Sequence, residues 1–323
     1  MHDFIARFGV ILLDTLVPIG IGFILHKADL ISKRGVDLVI KFNVRVMFTI
    51  LSVLAFWKLK ISAELLMLPV GAIVMTLVPF WVMSYLTRKN PDPLERGALV
   101  TAGMLGNIGT LGGVISFLIL GPLGFSYVQI LATIANVILI LFNFPLCQKY
   151  REAAEAIPGT CCKNRRVPHQ EQNFFSLFFT WNQVALLGMI LGVVLSVNEV
   201  RQPEWLTSLF APMVHVSAWI AFLPVGLLLN FKAAAREMKK TILILPVKFV
   251  LLPIVMWLFC YVTMDDPVMI ATLVICSACP TAINSVLACA LYGLKTDIAI
   301  SSLMTSTFVF AVVVCPVLVG IYL

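Results

Sequence analysis

Asn107 and Asn284 have the most chemistry to offer, because each stands beside helix breakers in an otherwise apolar run. The first lies in Gly103-Met-Leu-Gly106-Asn107-Ile-Gly109-Thr-Leu-Gly112-Gly113, the second in Ser277-Ala-Cys279-Pro280-Thr281-Ala-Ile-Asn284-Ser285. Glycine weakens a helix by about 1 kcal/mol relative to alanine, and proline by about 3 kcal/mol. Five glycines fall within eleven residues of the first stretch. In the second, Pro280 removes one backbone donor and clashes with the carbonyl four residues back. Both stretches therefore predict interrupted helices. A half-helix beginning in apolar surroundings carries about +0.5 charge at its N-terminus, which attracts anions. A carboxamide both donates and accepts hydrogen bonds, so the two asparagines suit the orientation of a small carboxylate. The candidate anion site is Asn107, Gly109, Gly112, Gly113, Pro280, Thr281 and Asn284. Close helix packing through small residues is the plain alternative for the glycine run. An asparagine beside a breaker in both places favours binding.

Charged groups inside apolar runs are the next candidates, since burying them is expensive. Asp14 is the one clearly embedded carboxylate, either a proton or cation site or a structural hydrogen-bond partner. Lys41 and Arg45 stand four residues apart on one helix face near the start of a run, where they can snorkel to the interface. Lys248 lies about seven residues into its run, roughly 10 Å at 1.5 Å per residue. Snorkelling is harder there, which leaves anion attraction or ion pairing. His215 is either a proton relay, a role open to histidine side chains in general, or an ordinary hydrogen-bonding group. Asp14, Arg45, His215 and Lys248 are thus the candidates for charge or proton coupling.

Nothing comparable points to catalysis. Cys260, Cys276, Cys279, Cys289 and Cys315 lie in apolar runs as small hydrophobes, and Cys276-Ser-Ala-Cys279 lacks the context of a redox pair. Asp265-Asp266-Pro267 reads as a helix cap with a first-turn proline rather than a metal pair. No HExxH, GxSxG, P-loop or paired His/Cys ligand pattern occurs. No enzyme activity, cofactor or metal is expected.

The elements that must position these residues follow from composition. The chain has 323 residues, 60% hydrophobic and 12% charged, with a mean hydropathy of +1.01. A soluble domain is about half apolar and about a quarter charged. A cytosolic enzyme, a nucleic-acid binder and a secreted disulfide scaffold are excluded, and no nucleic-acid partner is expected. A membrane-spanning helix takes about 20 apolar residues. The apolar runs are 8–26, 37–57, 65–87, 97–120, 124–146, 182–198, 206–229, 241–263, 267–292 and 297–322. Ten spans put both termini on one side. Of the 23 Lys and Arg residues, 16 fall on the side of the loops after spans 1, 3, 5, 7 and 9. Only Arg7, Lys58, Lys60 and Arg201 fall opposite, and Lys41, Arg45 and Lys248 lie within or at the edges of spans. Positive charge marks the cytoplasmic side, so both termini are expected outside a cell membrane. The stretch Met1 to Phe8 lacks the basic region of a removable signal peptide.

The longest connection holds Lys163-Asn-Arg165-Arg166 and divides the chain into 1–146, a cytoplasmic connecting loop 147–181, and 182–323. Five spans per half force the second half into the membrane upside down relative to the first, a transporter signature. Asn107 and Asn284 are 177 residues apart, close to the 174 between the starts of spans 1 and 6. The expected fold is an all-α polytopic membrane protein, a 5+5 inverted repeat with crossing, interrupted helices 4 and 9.

The sequence also resembles the auxin efflux carrier family over nearly its whole length. Val17-Pro18-Ile19-Gly20 through Phe23-Ile-Leu-His26-Lys27-Ala-Asp-Leu30 is similar to the family's opening helix and basic turn. Asn107-Ile-Gly109-Thr-Leu-Gly112-Gly113-Val114, followed by Gly121-Pro-Leu-Gly124, resembles its Asn-x-Gly-x-x-Gly-x-Pro stretch. Cys279-Pro280-Thr281-Ala282-Ile-Asn284, Tyr292-Gly293 and Ser302 to Thr307 resemble its last two helices. The family commonly has proline where Val114 stands, and another at Phe48 or Thr49. The resemblance therefore implies a span 4 bent by glycines rather than sharply broken. It further implies a fold like the bile-acid sodium symporters and sodium/proton antiporters. There, spans 4 and 9 cross in a moving transport domain, and the other helices form a scaffold that is often dimeric. Asn107 and Asn284 fall on the family's crossover asparagines, and Pro280 on its crossover proline.

The function expected is a secondary transporter in the lipid bilayer that moves a small organic acid anion, such as a carboxylate or auxin-like weak acid, by an elevator-type efflux movement. The alternative is a sodium-coupled symporter of the bile-acid type. Sodium sites need several oxygen ligands, and spans 4 and 9 offer Asn, Thr and Ser but no acidic residue. A membrane receptor without flux is the third reading.

Overall fold

The computed structural model describes residues 2–28, 33–157, 184–227 and 237–322. Among them every regular element is helical, and the one β-type pairing is a single antiparallel bridge between Gly106 and Thr281. Five helical runs are long and apolar enough to cross a membrane: Ala63–Leu86, Ile108–Glu155, Glu204–Leu223, Glu237–Thr263 and Thr296–Tyr322. Shorter apolar helices cover Arg45–Phe56, Val184–Val197 and Pro267–Ser277. This is the layout of a multi-pass membrane protein.

In chain order the helices are α1 (His2–Lys27), α2 (Lys33–Phe42), α3 (Phe48–Phe56), α4 (Met67–Leu86), α5 (Pro93–Met104), α6 (Gly113–Ile138) and α7 (Phe144–Glu155). There follow α8 (Val184–Val197), α9 (Glu204–Leu227), α10 (Leu252–Thr263), α11 (Pro267–Ser277), α12 (Ile283–Leu291), α13 (Thr296–Val309) and α14 (Cys315–Tyr322), with a single turn, Ile244–Pro246, ahead of α10. Wide π-helical turns interrupt the regular winding at Asn43–Met47, Ile108–Gly112, Leu139–Asn143, Val247–Leu251 and Phe310–Val314. Such turns are uncommon and tend to collect at functional sites. Spans expected as separate, 97–120 and 124–146, join in α6, where Gly121 (φ 73°, ψ −160°) divides the winding into two helices. Only glycine adopts that backbone without strain. The connecting loop expected from residue 147 begins later, because α7 continues the helix to Glu155. The stretch Lys163 to Arg166 lies outside the described residues.

Helix starts follow the residues. Asp92 accepts from the backbone of Leu94 at 2.9 Å and heads α5, with Pro93 as its first residue. Asp266 does the same for α11, accepting from Val268 at 2.8 Å, with Pro267 next. Both are ordinary capping arrangements.

The helices sort into two groups. In the first, α1 packs along α9, and α3 packs along α8 and α9. The α1–α9 seam is very tight: a Cβ on Gly22 would stand 2.2 Å from the Leu223 carbonyl, and one on Gly226 would stand 2.0 Å from that of Ile19. In the second group α4, α5, α6, α7, α11, α12 and α13 contact one another, and α10 packs on α4 and α11. The groups meet where α6 touches α3 and α9, around buried Phe48, Phe117, Phe125 and Phe210.

Candidate functional site

α5 stops at Met104, and Leu105 is extended (φ −89°, ψ 118°). Helix resumes only after Asn107, at the π turn Ile108–Gly112. α11 stops at Ser277, and α12 begins after extended Ala282 (φ −77°, ψ 149°). Span 4 is therefore broken outright, contrary to the bend implied by Val114. The glycines suffice because the freed groups find partners on the other break. Asn107 N donates to Pro280 O at 2.8 Å, and Ala282 N donates to Leu105 O at 3.0 Å. Backbone groups left by one interrupted helix satisfy those left by the other, as an apolar interior demands.

Thr281 locks this joint. It is fully buried, its hydroxyl donates to Ala102 O at 3.1 Å and pairs with Ser302 Oγ at 3.0 Å. Its N–H donates to Ser306 Oγ at 3.0 Å. Pro280 is buried, and its carbonyl is the acceptor for Asn107. Gly112 and Gly113 are buried on the inner side: a Cβ on Gly112 would stand 3.1 Å from Cys279 Sγ, and one on Gly113 3.6 Å from the Phe125 ring.

On the other side of the joint lies a cavity of about 580 Å³, bordered by α3, α4, α6, α8 and the broken helices. Asn107, Gly109 and Asn284 line it, so three of the seven predicted site residues border one cavity. The other four brace its lining from behind. Among the described residues neither Asn107 nor Asn284 has a side-chain hydrogen-bond partner. Both carboxamides are free to meet a solute.

Lys248 completes the cluster. It sits in the π turn Val247–Leu251, is 1% exposed, and lines the same cavity. Its Nζ donates to Leu105 O at 2.9 Å, the carbonyl that also accepts from Ala282. No carboxylate among the described residues pairs with it. A buried lysine is ordinarily held in its charged form by an anionic partner, and here the side-chain nitrogen is directed at the joint.

The remaining candidates lie elsewhere. Asp14 and His215 are bonded to each other, through Asp14 Oδ2 and His215 Nδ1, and Trp219 Nε1 donates to Asp14 Oδ1 at 2.8 Å. This cluster bolts α1 to α9, and none of its members lines the cavity. Arg45 falls in the π turn Asn43–Met47. It is half-buried, with its Nε enclosed and without a hydrogen-bond partner among the described residues, and it does not line the cavity either. The sequence reading missed Gln129, Thr133 and Asn136, which line the cavity from α6. Their spacing of four and three residues on one helical face was the available signal.

Outside the apolar region, the starts of three spans are tied by ion pairs. Lys240 and Lys295 both donate to Glu95 Oε2, at 2.8 Å and 2.9 Å, and Lys295 also meets Asp92 at 2.7 Å. Partial burial would raise the Glu95 carboxyl, but the bonds from Lys240, Lys295 and Asn90 outweigh it and hold the group at about 2.

A membrane chain, helical throughout its described residues, whose two broken helices join beside a cavity lined by a lysine and two carboxamides has the make-up of a solute carrier. Residues 10–319 match the family described as membrane transport protein, that of the auxin efflux carriers. The chain belongs to that family and is a membrane transporter. No curated protein matches it.

Proposed function

We propose that this protein is a secondary carrier of small organic acid anions, with the carboxylate held at the joint between the two broken helices. The observation that carries the reading is Lys248. Its side-chain nitrogen is enclosed, has a carbonyl as its one hydrogen-bond partner among the described residues, and lines the cavity that Asn107 and Asn284 also line. An anion there gains a charge-assisted hydrogen bond, roughly twice as strong as a neutral one, and two carboxamides to fix its orientation. The half-helices that begin at Ile108 and Ile283 add positive dipole ends.

In this reading the ten apolar runs form a 5+5 inverted repeat with both termini outside a cell membrane. The α1–α3, α8 and α9 group is the scaffold, and the helices around the joint move as one body in an elevator-type cycle that carries the anion outward. Support comes from the grouping of helix contacts and from the tightness of the α1–α9 seam. The membrane potential supplies about 2.3 kcal/mol per charge per 100 mV, enough to drive anion export without a coupling ion. The scaffold is the face through which a homodimer would form.

The test is counterflow of a panel of mono- and dicarboxylates in proteoliposomes, with and without an imposed voltage. Saturable, voltage-dependent flux that falls at least about tenfold in Asn107→Ala and Asn284→Ala is expected, the loss of about 1.4 kcal/mol of binding. Flux of no carboxylate, or flux indifferent to both substitutions, overturns the reading. Uptake strictly dependent on sodium replaces it with the bile-acid type of symport.

A further inference from the structure

The cavity extends beyond the joint along α6 and α12. Ala132 of α6 packs at the joint itself, where a Cβ on Gly109 would stand 3.3 Å from the Ala132 Cβ. From there α6 lines the cavity through Asn136, and the wall continues through Ile140 to Phe144, the first residue of α7. On α12 the lining runs from Asn284 through Leu287 to Leu291. The two walls converge where the rings of Phe144 and Tyr292 meet, with centroids 5.5 Å apart. Lys295 of the ion-pair cluster follows Tyr292 by three residues, so this stretch leads from the joint toward that face of the molecule. Ala185 and Leu186 of α8 border it from the side.

Asn136 is the one polar side chain among the described residues that line this stretch. It is exposed, whereas Gln129, farther back on α6, keeps its Nε2 enclosed. Thr133, one turn earlier, has its hydroxyl committed to Gln129 O at 2.8 Å. The Asn136 carboxamide has no hydrogen-bond partner among the described residues. A polar group in apolar surroundings is costly unless something bonds it, and ligand cavities combine apolar walls with a few placed polar groups. We propose that Asn136 is a transit contact, which hydrogen-bonds the solute between the far end of this stretch and the joint. The inference rests on the carrier reading above and adds to it a contact outside the joint. Asn136 lies one helical turn beyond Ala132, about 6 Å along the axis, so an arriving solute meets it before Asn107 and Asn284. An anion entering an apolar passage sheds water, and a carboxamide N–H on the way replaces part of what is lost. A contact made in passage and given up in the seated complex raises the rate without tightening binding.

The experiment measures two quantities for each member of the carboxylate panel, radiolabelled butanoate and butanedioate included: the initial counterflow rate in proteoliposomes and equilibrium binding in detergent. Wild type is compared with Asn136→Leu, Asn136→Ala and Asn136→Gln, and thermal melting confirms the folding of each. Asn136→Leu and Asn136→Ala are expected to slow counterflow by about fivefold or more, the worth of one hydrogen bond, while binding stays within about twofold. Asn136→Gln keeps the carboxamide and should retain more than about half of the wild-type rate. Wild-type rates in the Leu and Ala variants overturn the role of Asn136, as does a Gln variant no faster than the Leu variant. Binding that weakens as much as flux also overturns it, since Asn136 would then belong to the joint. In each of those cases the carrier reading stands. Absence of wild-type flux for every carboxylate of the panel overturns the carrier reading and this inference with it.

Discussion

An enclosed ammonium such as that of Lys248 is destabilising unless something compensates it, and one carbonyl at 2.9 Å is a modest return. Replacement by an apolar chain of similar length, Lys248→Met, should therefore leave the melting temperature unchanged or raise it. Carboxylate counterflow should fall by about ten- to a hundredfold, the equivalent of a charged hydrogen bond of about 1.5–3 kcal/mol. A variant that melts lower but transports normally would assign Lys248 to the fold instead. That separation is testable because the residue's contact with the protein and its proposed contact with the solute use different donors of one ammonium group. Asn107 and Asn284 were legible from the sequence because they sit beside breakers. Lys248 stood open between attraction and ion pairing, since no sequence pattern states which groups surround a lysine in space.

At the scale of elements, the joint is held by a backbone bridge and by the side chains behind it. Thr281 contributes most of the latter, with partners on α5 and α13. Thr281→Val keeps the shape and removes the hydroxyl, which leaves the Ala102 carbonyl and Ser302 Oγ short of a partner. A loss of about 1–3 kcal/mol is expected, seen as a lower denaturation midpoint in detergent. Anion affinity should change less than in Asn107→Ala, because Thr281 does not line the cavity. The breaks themselves were predictable from glycine and proline propensities. Their depth was not: the missing proline at Val114 suggests a bend, whereas pairing with the second break makes a full interruption affordable in span 4.

For the whole molecule, the cluster of Asp92, Glu95, Lys240 and Lys295 fastens together span ends that are far apart in the chain. Glu95 is held at about 2 against an ordinary 4.5. A depressed carboxyl contributes its stabilisation in full above its unfolded value and loses it as the pH falls through the folded one. Stability should thus decline between about pH 4.5 and pH 2 on this account. Glu95→Gln should flatten that part of the melting profile, and salt should weaken the wild-type effect, since the pairs are partly exposed. The Asp14–His215–Trp219 cluster plays a comparable part within the first helix group, joining α1 to α9.

Composition and apolar run length by themselves determined that this chain lives in a membrane as helices, and breaker residues located the two places where those helices fail. Both are local properties, fixed by transfer free energy and backbone propensity at each position. Only the tertiary structure decided that the two failures repair one another, that Lys248 is aimed at their joint, that Asp14 and His215 meet each other, and that Asn136 lines the cavity beside that joint. Those are relations between residues up to 201 positions apart. They depend on how the helices are brought together, which side-chain chemistry at a single position does not encode.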